Sequence, residues 1–160
     1  MVSRFFRRSL LSSRHCRIFF GGTKTLFKRE VLFKAGLYDE SLSELILGED
    51  LDLALRIYKC GFTGMLSRSC KVYHLEIYHF KHRKMRPKDF ENYRFTEAYI
   101  ITKHRDMLGI YVVFHVIYVI IWSFLWALRK MNPKVFLYCM RGLTAGIFRG
   151  LRAQWTCTKD

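Results

Sequence analysis

Glu49 and Asp50 are the residues of this chain whose type and placement best suit chemistry. They stand side by side where a helix begins, in Gly48-Glu49-Asp50-Leu51-Asp52-Leu53, with Arg56 one turn on. The helix macrodipole and the free backbone N–H groups of a first turn stabilise negative charge. A carboxylate held there stays ionised near neutral pH, as a general base must. The plainer alternative is that acids simply decorate helix starts. Six of the 13 acidic residues fall between Asp39 and Asp52, in a chain whose net charge is +15. Like charges so close repel, so folding alone does not favour the cluster.

These acids need elements to hold them. Lys28 to Ala35 reads as a helix with Val31, Leu32 and Ala35 on one side and Gly36 as its stop. Asp39 to Ile46 reads as a turn or loop of short helical character. Glu49 to Cys60 reads as a helix with Leu51, Ala54, Leu55 and Tyr58 on its apolar face, ended by Gly61. Asp52 and Arg56 are spaced for an i,i+4 pair on the helix surface. Ile18-Phe19-Phe20 leads into Gly21-Gly22, and Thr23 to Phe27 alternates as a strand does. Cys70 to His74 reads as a second short strand. Lys81 to Lys88 reads as a basic loop containing Pro87, and Phe90 to His104 as a helix.

Leu108 to Leu128 contains no Asp, Glu, Lys or Arg. Roughly 20 apolar residues cross a bilayer, so a transmembrane helix over 108–128 is expected, with a buried or interfacial helix as the alternative. Trp122, Trp126, Arg129 and Lys130 are placed as interfacial anchors. Val135 to Leu151, interrupted by Arg141 and Arg149, fits an amphipathic helix lying at the interface. Two basic clusters, Arg4 to Arg17 and Lys81 to Lys88, suit anionic lipid headgroups, each charge adding about 1 kcal/mol near the surface. Nucleic acid is the usual rival partner for such charge; the apolar stretch argues against it, and none is expected. The positive-inside rule then sets the N-terminal domain on the cytoplasmic side of a membrane. The five cysteines include no C-x-x-C pair, and reduced, unlinked thiols are expected. His74, His79 and His82 lack the regular ligand pattern of a zinc site.

Taken in order, Gly21-Gly22, Lys28 to Val31, Gly36-Leu37-Tyr38-Asp39-Glu40, Glu49 to Leu53 with Arg56, Gly61-Phe62 and Val72-Tyr73-His74 form a pattern. Over about residues 18 to 80 it resembles the C-terminal part of the catalytic domain of family 2 glycosyltransferases, in the rhamnosyltransferase-like branch. Asn92 to Arg105 also resembles the helix that follows in that family, although Thr96-Glu97 stand where Arg-Asn is frequent.

The resemblance implies an α/β fold: the C-terminal part of a GT-A type nucleotide-sugar transferase, followed by a membrane-associated helical tail. The implied domains are a partial GT-A domain at 1–105 and a membrane-associated helical region at 106–160. It implies inverting transfer of a sugar from a nucleotide-sugar donor to a glycan or lipid-linked acceptor. Asp50 would be the general base and Glu49 its partner. Gly21, Gly22 and Asp39 would line the substrate, and His74 would contact the donor diphosphate or a metal. A divalent metal, Mn²⁺ or Mg²⁺, is expected only together with the nucleotide-binding half that precedes this segment in the family. That half carries an Asp-x-Asp motif, and no acid stands before Gly21 here. A separate chain carrying it is one implied partner. The alternative function is a non-catalytic, membrane-associated interaction subunit, or a relic of such an enzyme.

Overall fold

The structure is a computed structural model and describes residues 25–42, 48–64, 86–153, 155 and 157. Its elements are α1 (Arg29–Lys34), a 3₁₀ turn (Glu40–Leu42), α2 (Glu49–Lys59), α3 (Pro87–Lys103), α4 (Arg105–Leu108), α5 (Tyr111–Arg129) and α6 (Pro133–Arg152). The expected α/β architecture is overturned: the described residues are mostly helical and contain no strand or sheet, which conflicts with a GT-A fold. Of the expected strands, Thr25 to Phe27 has no regular structure. Residues 18–24 and 70–74 lie outside the described residues. The physical reason is visible in what buries the apolar side chains. Among the described residues helix faces pack on helix faces, and Thr25 to Phe27 has no paired strand to satisfy its backbone, while Leu26 stays exposed.

The chain divides into two compact units. The first holds α1, α2 and Cys157. Both helices end on glycine in the left-handed region, as their sequences predict. After α1, Gly36 has φ +76° and Leu37 N–H reaches back to the Leu32 carbonyl at 2.9 Å. After α2, Gly61 has φ +80° and Phe62 N–H reaches the Ile57 carbonyl at 3.3 Å. This is the Schellman arrangement, which satisfies carbonyls left over at a helix end. Cys60, just beyond α2, is joined to Cys157 by a disulfide with Cα atoms 5.5 Å apart. The expectation of unlinked thiols is thereby corrected. It rested on local spacing, and a bond closing over a separation of 97 residues leaves no local signature.

The second unit contains Gly48 and the helices α3 to α6. Pro87 opens α3 instead of sitting in a loop, because proline lacks only an N–H that a first turn leaves unpaired anyway. Asp89 accepts from the Arg86 backbone N–H at 2.8 Å and closes that helix start. The expected apolar span is helical over Tyr111–Arg129. Lys130, Met131 and Asn132 then turn the chain, and Asn132 Oδ1 caps α6 by accepting from Lys134 N–H at 3.1 Å.

α3 and α6 run parallel in close contact. Gly142, Gly146 and Gly150 recur every fourth residue and lie under the backbone of Glu91, Phe95 and Tyr99 respectively. A Cβ on Gly150 would come within 2.7 Å of the Tyr99 carbonyl. Small residues at this spacing let helix backbones approach. α5 runs antiparallel to α3, with His115 beside Glu97, Trp122 under Arg94 and Trp126 against Phe90. Ala98, Val119 and Leu143 bring the three helices together in one small core.

Candidate functional site

The acidic helix start lies at the beginning of α2. Gly48, the residue before it, has φ +124°, and a Cβ there would meet Thr96 Cγ2 at 2.5 Å. Backbone angle and space both call for glycine.

Within α2 the acids divide into two kinds. Asp52 is wholly buried and accepts from Arg56 Nε at 2.8 Å. Arg56, also buried, donates a second hydrogen bond to the Ala35 carbonyl at the end of α1. Asp52 therefore belongs to a buried tie between α2 and α1. The sequence spacing identifies the pair but places it on the helix surface; burial corrects that. The core also takes in Leu53 beside the expected Ala54 and Leu55, which rotates the buried face toward Asp52.

Asp50 is only half buried and faces a different partner. The Tyr38 hydroxyl donates to its Oδ1 at 3.3 Å. Burial pushes the Tyr38 hydroxyl above its ordinary pKa, and the Asp50 and Glu49 charges add to the shift. Tyr38 therefore stays protonated and keeps its donor. Glu49 Oε2 is buried without a hydrogen-bond partner among the described residues. An unpaired buried carboxylate oxygen is costly to keep and is an open acceptor position beside Asp50. Asp39 is half buried and immediately follows Tyr38.

The structure thus brings Glu49, Asp50 and Tyr38 together. In the sequence Tyr38 stands only as part of the motif Gly36 to Glu40, and nothing in the spacing marks it as the donor to Asp50. Gly21, Gly22 and His74 lie outside the described residues, as do His79 and His82. Among the described residues no three His, Cys, Asp or Glu side chains gather as a metal site.

A second group of charges joins α3 to α5. Arg94 Nη1 lies 2.5 Å from Glu97 Oε2, and His115 Nε2 lies 3.2 Å from Glu97 Oε1. The Arg94 guanidinium also covers the Trp122 ring at 4.9 Å. Burial alone would raise the Glu97 pKa; the His115 hydrogen bond and the Arg94 charge overcome it and hold the carboxyl below its ordinary value. This cluster accounts for the polar His115 in the apolar stretch.

α5 is long and apolar enough to cross a membrane, by length and composition. No protein-family model, no curated protein and no solved structure matches the chain.

Proposed function

We propose that this chain supplies the acceptor side of an inverting sugar transfer at a membrane surface, with Asp50 as the general base. The reading begins from the resemblance of the ordered motifs to family 2 glycosyltransferases. One observation carries it further: of the two aspartates at the start of α2, Asp52 is committed to Arg56, while Asp50 is half open and accepts from a hydroxyl. The Tyr38 O–H marks a direction from which a hydroxyl reaches Asp50 Oδ1. An acceptor sugar hydroxyl takes the same kind of approach.

In the proposed step the acceptor O–H gives its proton to the Asp50 carboxylate. The acceptor oxygen forms a bond to the anomeric carbon as the bond to the nucleoside diphosphate breaks. Attack from the opposite face inverts the configuration. Glu49, next to Asp50 at the start of α2, is the partner that positions it. The nucleotide-sugar and its metal belong to the Asp-x-Asp half, which these 160 residues do not recognisably contain. The acceptor is a glycan or lipid-linked sugar, as suits a chain with a helix apolar enough for lipid.

The test is transfer from labelled nucleotide-sugar donors, with the full chain co-expressed with a nucleotide-binding half. Asp50→Asn should lower turnover by about 10² to 10⁴ and leave donor binding unchanged. A second reading, a non-catalytic membrane subunit, is favoured by the glycine-seamed packing of α3 on α6, which is built without the acidic site. It is the outcome if Asp50→Asn and the unaltered chain behave alike.

A further inference from the structure

α5 is polar on its inner side and apolar on its outer side. Facing α3 and α6 are His115, Trp122, Ser123 and Trp126, along with Val119 and Ala127. Facing outward are Phe114, Ile117, Ile121, Phe124, Leu125 and Leu128, all exposed. Outward positions of a helix in water carry charges; here the first outward charge is Arg129. A contiguous apolar face of this extent marks an interaction surface, and its chemistry fits lipid acyl chains.

The helices packed beside α5 decide how it meets lipid. α3 and α6 run along its length, so whatever depth α5 reaches they reach too. Arg141 adjoins Gly142, which packs on Glu91, next to the Phe90 that touches Trp126. The Arg149 guanidinium lies over Phe95, close to the Glu97 that meets His115. Two exposed arginines of α6 therefore lie level with the inner turns of α5, between its two ends. Eight residues of helix separate them, about 12 Å. A bilayer core is about 30 Å thick. If α5 crossed it, α6 would carry both arginines, and α3 would carry Arg94 and Glu97, into the hydrocarbon. The Arg141 side chain is 73% exposed, so no burial in protein would shield it.

We infer that the three-helix unit docks on one leaflet of an anionic bilayer and lies in its plane. The outer face of α5 enters the acyl region, and Lys134, Arg141 and Arg149 stay at the headgroups. The anionic lipid is favoured by charge complementarity: α6 contains Lys134, Arg141, Arg149 and Arg152 and no acid. The Cys60–Cys157 disulfide agrees, since it requires the segments before α3 and after α6 to share one side of the membrane. The inference rests on membrane association alone and not on sugar transfer.

The test adds the full chain to preformed vesicles of phosphatidylglycerol and phosphatidylcholine. Met131→Cys, in the exposed turn between α5 and α6, is then treated with a membrane-impermeant thiol reagent, against the unaltered chain as background. In-plane docking predicts equal labelling before and after the vesicles are permeabilised. Labelling that rises tenfold or more on permeabilisation would put the turn on the far side and overturn the inference. Failure to sediment with the vesicles would overturn it as well. Lys134→Gln with Arg141→Gln should weaken binding to these vesicles about thirtyfold, from two lost headgroup charges. Unchanged affinity would remove those residues from the headgroup region and sink the proposed placement.

Discussion

Arg56 Nε donates to Asp52 Oδ2 at 2.8 Å, with neither side chain reaching solvent. Only two residues before Asp52, Asp50 stands half exposed under a tyrosine hydroxyl. Removing one partner of a buried pair leaves an uncompensated charge, which costs about 3 to 5 kcal/mol. Asp52→Asn should therefore destabilise the chain by that order in chemical denaturation. Asp50→Asn should stay within about 0.5 kcal/mol, as surface substitutions do. Equal losses for the two variants would mean that both acids are structural.

Glu97 and Tyr93 give the second unit opposite responses to pH. The Glu97 carboxyl is held below its ordinary value, so its contribution is present above the ordinary glutamate range. It is lost as pH falls through the lowered folded value. Tyr93 is pushed up to about 12, by burial first and by the Glu97 charge second. Its contribution is full below the ordinary tyrosine value of 10.0 and is lost as pH rises toward 12. Phenolate absorbance should show a late-titrating component that Tyr93→Phe removes, and Glu97→Gln should flatten the acid limb of a stability profile.

The α3–α6 seam predicts a sharp contrast between neighbouring positions. A Cβ on Gly146 would collide with the Phe95 carbonyl, which belongs to backbone and cannot rotate away. Gly146→Ala should cost about 1 to 3 kcal/mol through overpacking. Ala145→Ser, on the exposed side of the same turn, should cost about 0.5 kcal/mol or less. Thermal melts followed by helical circular dichroism would compare them.

The Cys60–Cys157 bond closes a loop with a sequence separation of 97. Loops of about this length are stabilised by roughly 4.7 kcal/mol in the chain-entropy description. Cys157→Ser should lower stability by about 2 to 5 kcal/mol. Alkylation without reductant should leave Cys60 and Cys157 unmodified in protein taken directly from cells. Such bonds are rare in the cytosol, so an intact disulfide there would move the acidic site to the oxidising side of the membrane, and free thiols would keep it cytoplasmic.

Parts of this structure are legible in the sequence because they depend on near neighbours. Gly36 and Gly61 mark helix ends since only local backbone angles are involved. The 108–128 stretch needs only composition to read as a lipid-seeking helix, and α5 forms there with a small shift in its bounds. Asp52 and Arg56 are correctly paired by spacing, but spacing says nothing of burial, so a core tie reads as a surface pair. The α/β expectation fails because it is inferred from a motif order, and motif order does not specify how apolar faces are covered. Gly142, Gly146 and Gly150 did carry a signal, the four-residue repeat, yet their partner α3 is about 50 residues away along the chain. Tyr38 finds Asp50 across a chain reversal that no periodicity encodes.

Three glycines at a four-residue interval make the α3–α6 contact nearly self-similar under a slide of one interval, about 6 Å. After such a slip two glycines would still lie beneath carbonyls of α3. The seam by itself therefore resembles a rack with evenly cut teeth, able to engage at more than one notch. What selects the notch lies off the seam: Leu143 seated with Ala98 and Val119, and Arg141 Nε 3.6 Å from Glu91. Closeness and alignment are thus assigned to different residues, and alignment can be lost through Leu143 while the glycines remain untouched.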